Sequence, residues 1–315
     1  MKHYFFINPN AGQGKGIDKL VEEIKVTAAE LNLDCEIYMT KSVEDGMFQA
    51  RKVAEELKGA PARFYACGGD GTNNEIINGG FGFENISFGC VPIGTGNDMV
   101  RSFPESGDFL SIRDQLLGHV ENIDLIRFKG KVNGSETVGY CVNMVNIGLD
   151  CDIAAKTSEL KTKPFIAGPM AYLLGVAIMF IRKKTIGLKL VAEGETLVDG
   201  DILLAALANG AYCGGGMNTS PQSALNDGIF DLNIVKDVTR RTFLNLFPKY
   251  KAGTHLQVPD IEKVIGIQRC SQISIIPKEP KFLMCIDGEI LTAEGQIDFD
   301  ILPNVLPFIV PAKKA

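Results

Sequence analysis

The chain has 315 residues, 45% of them hydrophobic and 22% charged, and its 32 Lys and Arg against 38 Asp and Glu leave a net charge of −6. That length exceeds a single core of roughly 100–200 residues, so two domains are expected, and the mild acidity without a dense basic block excludes a broad nucleic-acid footprint. Eight scattered cysteines with no C-x-x-C pair, and the distant His3, His119 and His255, form no zinc pattern and read as the free thiols of a reducing cytosol.

Taken in chain order, the first ~125 residues alternate strand and helix patterns, as a parallel α/β sheet requires. Residues 4–7 form a short apolar strand, too brief for a signal peptide, that runs into a Pro/Asn/Gly loop. Ile17, Leu20, Val21, Ile24, Ala28 and Leu31 recur at helical spacing; Cys35, Ile37 and Met39 alternate as in a strand; Met47, Ala50, Val53, Ala54 and Leu57 restore the helical period. Strands over 64–67 and 86–93 each end in a glycine-rich loop, with a short helix over 73–78 between them. Beyond Asp124 the texture changes. Asn133-Gly134 predicts a hairpin turn, and strand-like runs recur at 140–147, 186–192, 201–209, 230–235, 264–269, 272–276, 282–286 and 296–301, the pattern of an antiparallel sandwich or barrel with a few inserted helices. Residues 164–181 carry no charge, but Gly168-Pro169 interrupts them, so a buried helix from Pro169 to about Ile181 is expected and not a membrane span.

Three loops at the ends of successive strands carry the chemistry. Gly68-Gly69-Asp70-Gly71-Thr72 lets backbone N–H groups reach phosphate oxygens, and the helix behind it offers its N-terminal amides to an anion. A carboxylate there would repel a triphosphate unless a divalent cation lay between them, so Asp70 implies Mg²⁺. The other two loops run from Asn8 to Gly14 and from Gly94 to Asp98, and the three together predict a nucleotide site. A Walker A loop is absent, because Pro9 stands where its first Gly belongs, and Gly12, Gly14 and Gly16 match a dinucleotide fingerprint only in part. Late in the chain, Asp287-Gly288-Glu289 follows an apolar strand and supplies two acids, between which the sequence alone does not choose a base.

These motifs resemble the diacylglycerol-kinase catalytic family, which includes sphingosine, ceramide and bacterial lipid kinases. The resemblance also takes in Thr40, the 122–126 segment around Asp124, and residues 223–232, so it runs almost end to end. It implies an α/β nucleotide-binding domain over 1–126, rejoined by a tail at 303–315, and a β-rich antiparallel sandwich over 127–302 that takes the lipid. It further implies that Asn8, Asn10, Gly12, Thr40, Gly68, Gly69, Asp70, Gly71, Thr72, Glu75, Gly94, Thr95 and Asn97 surround ATP. Glu289 becomes the proton acceptor with Asp287 its neighbour or rival, and Asp124 helps to organise the site. A second Mg²⁺ would be held by Asp227 with the Ala224 and Ile229 carbonyls, where spacing alone reads as a hairpin turn. In some relatives two lysines pair with the acid matching Asp124; here Gln13 or Lys15 would take the first place and Lys161 or Lys163 the second, where Pro169 stands. The implied activity is transfer of the γ-phosphoryl group of ATP to a lipid hydroxyl, diacylglycerol first, by a cytoplasmic enzyme with peripheral access to the membrane, no anchor, and a homodimer allowed. The alternatives are another lipid (sphingoid base, ceramide, phosphatidylglycerol) or NAD as acceptor, or a non-catalytic nucleotide or lipid sensor.

Overall fold

A computed structural model describes residues 1–149, 151–153, 155 and 184–313, so the helix expected after Pro169, with Lys161 and Lys163, lies outside the described residues. The chain divides into two units, the first comprising 1–123 with 304–315 and the second 124–303.

In the first unit β1 (Lys2–Ile7), β2 (Asp34–Met39), β3 (Ala62–Gly68) and β4 (Ile86–Pro92) pair in parallel in the order β2-β1-β3-β4. Three helices return the chain between them, α1 (Ile17–Glu30), α2 (Asp45–Glu56) and α3 (Asp70–Gly80). Helix α1 follows the expected period, buries Ala28, and packs Ile17, Leu20 and Ile24 against Phe5, Ile7 and Tyr65 of the strands. Its start is set by Gly16 in the left-handed region, and acidic Asp18 in the first turn complements the helix dipole. A short α4 (Ile112–Leu116), capped by the Ser111 hydroxyl, leads out of the unit. The last strand, β14 (Glu289–Val310), supplies its C-terminal third to this unit, with Phe308 opposite Phe88 of β4 and stacked on Phe103.

The second unit is antiparallel throughout. β7 (Met144–Gly148), β13 (Lys281–Ile286), β14, β12 (Gln272–Pro277), β8 (Ile186–Ala192) and β9 (Glu195–Ala208) pair in succession, and β9 returns to β7, so six strands close into a barrel. Closure leaves none of the six as an open edge. Val145, Ile147, Leu188, Leu190, Ala205, Leu207, Ile273, Ile275, Met284 and Ile297 fill its interior. β5 (His119–Val132) and β6 (Ser135–Cys141) form the hairpin expected at Asn133-Gly134, both in the left-handed region, while β10 (Phe230–Lys236) and β11 (Ile265–Cys270) extend the sheet from β9. Helix α5 (Arg240–Lys251) is capped by the Thr239 hydroxyl and has Pro248 within it.

Two sequence expectations change. The run 140–147 is two strands, because the chain turns at Val142–Asn143. The helix expected over 73–78 is longer, Asp70–Gly80, and places Asp70 in its first turn.

Candidate active site

In the first unit the three glycine loops meet around one carboxylate. Asp70 Oδ1 accepts the Asp98 N–H and Oδ2 the Asn97 N–H, each at 2.8 Å, which ties the start of α3 to the loop after β4. Asn97 can offer its amide because its backbone is left-handed (φ 56°), and its side-chain N–H₂ donates to Pro92 and Gly94 carbonyls. The loops themselves touch: a Cβ on Gly94 would sit 2.4 Å from Gly69 Cα, and the Gly94 N–H donates to Gly68 O at 2.9 Å. Only glycine permits that approach, and it leaves backbone where other residues would place side chains. Asn8 joins the cluster through its N–H₂ on Thr72 Oγ1 at 3.3 Å, and its Oδ1 accepts the Asn10 N–H. A Cβ on Gly12 would meet the Ile93 carbonyl, which brings the first loop beside the third.

The remaining residues of the set are more peripheral. Thr40 is buried and bonds its N–H to Ile7 O, while Thr95 is exposed. Glu75 turns away from the loops and accepts the Glu44 N–H at 3.0 Å. Burial pushes the Glu75 carboxyl above its usual range against the pull of those backbone amides. Asp98, the last residue of the third loop, brings a second carboxylate to the site. It is buried, and a Cβ on Gly96 would lie 2.5 Å from Asp70 Oδ2 and 3.7 Å from Asp98 Oδ2, so two carboxylates approach one point. Both Asp70 oxygens accept an amide, and Asp98 Oδ1 lies 3.9 Å from Arg101 Nε. Hard carboxylate oxygens converging on one point suit a Mg²⁺ ion, with Arg101 offsetting part of the Asp98 charge.

In the second unit Asp287 and Gly288 have φ of 47° and 89° and make the two-residue turn between Ile286 and Glu289. Asp287 is buried and its carboxylate is heavily used. Oδ2 accepts the Val142 N–H at 2.7 Å, and Oδ1 accepts the Asn143 and Met144 N–H groups at 2.9 and 3.1 Å and the Cys141 Sγ–H at 3.2 Å. This clasp is what turns the chain between β6 and β7. Burial, with the Asp287 charge alongside, raises the Cys141 thiol far above its ordinary pKa. Glu289 opens β14 and is half-buried.

Asp124 lies with the 224–229 loop. Its N–H donates to Leu225 O at 2.6 Å and its Oδ2 accepts the Gly228 N–H at 2.7 Å. Fully buried Asn209, a residue absent from the sequence reading, donates to Asp124 O and to Val142 O and so links this loop to the Asp287 turn. Asp227 is ion-paired with Arg269, and its Oδ1 accepts the Ile229 N–H at 3.3 Å. The Arg269 guanidinium, shared between Asp227 and Asp231 (Nε–Oδ1 3.2 Å), occupies the side of Asp227 where a resident cation would compete with it, so Ala224, Asp227 and Ile229 fit such a cation poorly. No group of three or more His, Cys, Asp or Glu among the described residues is arranged to hold a metal.

Comparison with known proteins places these loops in a family. A diacylglycerol kinase catalytic domain model matches residues 2–128, and a model of the YegS C-terminal NAD kinase beta sandwich-like domain matches 143–310. The chain belongs to the diacylglycerol kinase family. It is 30% identical to a diacylglycerol kinase of Bacillus subtilis (strain 168) over 71% of this chain and 70% of that one. It is 26% identical to a diacylglycerol kinase of Staphylococcus carnosus (strain TM300) over 90% and 86%. Among solved structures, a diacylglycerol kinase from Bacillus anthracis str. Sterne superposes with a TM-score of 0.68 at 21% identity, covering 98% of this chain and 96% of its own. Yeast NADH kinase superposes at 0.51 and 13% identity, covering 100% and 84%. At those identities the two structures show a shared fold, a diacylglycerol kinase and NAD kinase-like plan with a β-rich C-terminal domain. No helix among the described residues is long and apolar enough to cross a membrane.

Proposed function

We propose that the chain transfers the γ-phosphoryl group of ATP to the hydroxyl of a lipid, with diacylglycerol, yielding phosphatidic acid, as the first acceptor. The observation that carries the reading is the Asp70 clasp. Glycine backbone at 68, 69 and 94 and the N-terminus of α3 gather N–H groups around a carboxylate pair, as a triphosphate with a divalent cation requires. The names of the Bacillus subtilis and Staphylococcus carnosus relatives support the choice of acceptor.

In this reading the first unit binds ATP, with Asn8, Asn10, Gly12, Thr72 and Thr95 around the phosphates and Thr40 and Glu75 shaping the loops behind them. Mg²⁺, when bound at Asp70, supplies positive charge to the phosphates. The acceptor oxygen attacks the γ-phosphorus, its proton passes to a carboxylate, and ADP leaves. Asp287 is a weak candidate for that proton, since three backbone amides already occupy its oxygens, so Glu289 is the proton acceptor and Asp287 positions it. Asp124 braces the neighbouring loop. The enzyme works from the cytoplasm on the membrane surface, and the Asp227 cation stays outside this mechanism.

Incubation with labelled ATP, Mg²⁺ and separate micelles of diacylglycerol, ceramide, a sphingoid base and phosphatidylglycerol, or with NAD, tests the reading. Label is expected in diacylglycerol. Label in NAD alone assigns a nucleotide kinase, and label in none assigns a non-catalytic sensor.

A further inference from the structure

The second unit carries a charge arrangement that the phosphoryl-transfer chemistry does not use. The register of β10 and β11 sets Arg269 directly opposite Asp231, a cross-strand pair of opposite charge. Arg269 Nε lies 3.2 Å from Asp231 Oδ1, and a terminal nitrogen pairs with Asp227 Oδ2 in the loop just before β10. One guanidinium therefore bridges two carboxylates. An exposed arginine on one exposed acid would count for little, but Asp231 is only 2% exposed, so losing the guanidinium would leave a buried charge unpaired. The other oxygen of Asp231 is 2.7 Å from the Ser223 hydroxyl, which lies 2.7 Å from that of Ser220. Ser220 in turn accepts the Asn233 N–H₂ at 2.9 Å. Arg269 and Asp231 together thus fasten the 223–231 segment at Ser223 and at Asp227.

That segment braces the late acidic turn. Its Leu225 O and Gly228 N–H are bound by Asp124, whose own carbonyl Asn209 ties to Val142 O, and the Val142 N–H donates to Asp287. A connected run of contacts leads from Arg269 to the turn that opens β14, all of it within the second unit. A divalent cation at Asp227 would find Oδ2 on the guanidinium and Oδ1 accepting the Ile229 N–H, and it would face a fixed positive charge. Arginine keeps that charge at every working pH, and its planar fork matches carboxylate geometry.

We propose that Arg269 is a positioning residue that stands in for a structural divalent cation at Asp227, holding the 223–231 segment and, through Asp124 and Asn209, the turn that carries Glu289. The second unit is then organised without metal. Free Mg²⁺ beyond that complexed with ATP adds nothing there, and the metal requirement of catalysis is that of the nucleotide. The inference goes beyond the lipid-kinase reading, and its metal measurement is independent of turnover.

Mn²⁺ is the probe, since carboxylate and carbonyl oxygens suit it as they suit Mg²⁺ and its free fraction is read by electron paramagnetic resonance. Without nucleotide, wild type and D227N should bind equal numbers of ions. R269M should gain one ion, and R269M/D227N should lose it again. R269M/D231N also removes the acid that R269M leaves unpaired, and it should gain the same ion in a sounder fold. In the labelled-ATP assay at constant MgATP, R269M should lose about tenfold in kcat with KM for ATP unchanged, and regain most of it as free Mg²⁺ rises. Wild type should stay flat over the same range, and R269K, which cannot bridge both acids, should fall between them. An ion lost in D227N relative to wild type, or none gained in R269M and R269M/D231N, would overturn the assignment. So would wild-type turnover that climbs with free Mg²⁺ as steeply as that of R269M. Absent turnover in wild type would sink the kinase reading and leave the Mn²⁺ counts to judge Arg269.

Discussion

Asp70 holds two backbone amides with one carboxylate, so its isosteric replacement is not neutral. In D70N the new N–H₂ group faces an amide donor, and the loop after β4 is released on one side. The expected outcome is a fall in kcat of about 10²–10³-fold with the far-UV spectrum retained, measured in the labelled-ATP assay. The acids of the late turn separate by a different pair of measurements. D287N should cost about 1–3 kcal/mol in urea unfolding, because three amides lose their acceptor charge. E289Q should leave that curve in place and lower kcat by about 10²–10⁴-fold. Equal stability losses in the two variants would dissolve the division of labour between them. At Asp227 the competitor is Arg269, and R269M frees the carboxylate. Mg²⁺ should then raise Tm in R269M and leave the wild type unmoved; a wild-type response equal to the variant's would restore the cation that the family resemblance implies.

Elements show how far local pattern reaches. α1 was legible because its apolar period is complete, and the hairpin at Asn133-Gly134 because both residues tolerate left-handed backbone. α5 is one of the helices expected among these strands, but its place is hard to read because Pro248 interrupts the helical spacing of Phe243, Leu246, Phe247 and Tyr250. The break between β6 and β7 was invisible for a stronger reason: the group that turns the chain is Asp287, more than 140 residues away. The glycine loops could be named from sequence, but the Asp70–Asp98 approach and Asn209 depend on pairings that no local window holds. β1 carries a pH-dependent element. Burial lowers the His3 pKa to about 4, and its Nδ1 lies 3.1 Å from the Tyr65 hydroxyl. The ring is therefore neutral when folded. Its contribution to stability is present above its unfolded pKa near 6.5 and is lost as pH falls through about 4. Urea unfolding from pH 7 to 4 should show wild type losing up to about 3 kcal/mol more than H3F, and parallel curves would refute it.

At the scale of the whole molecule the chain begins and ends in the same unit, and β14 belongs to both. Leu306, Phe308, Ile309 and Val310 are buried, and Phe308 packs on Phe103 and Phe109. Truncation after Pro303 should strip the first unit of this strand. Limited proteolysis is expected to degrade residues 1–123 while 124–303 survives, and ATP binding is expected to vanish. Survival of both units at the wild-type rate would show the strand to be dispensable. The same arrangement dictates a timetable during synthesis. The glycine loops leave the ribosome early, yet the strand that joins their sheet follows the entire barrel in the chain. A chain interrupted before residue 304 therefore lacks the strand that completes the first unit, whatever the state of its barrel.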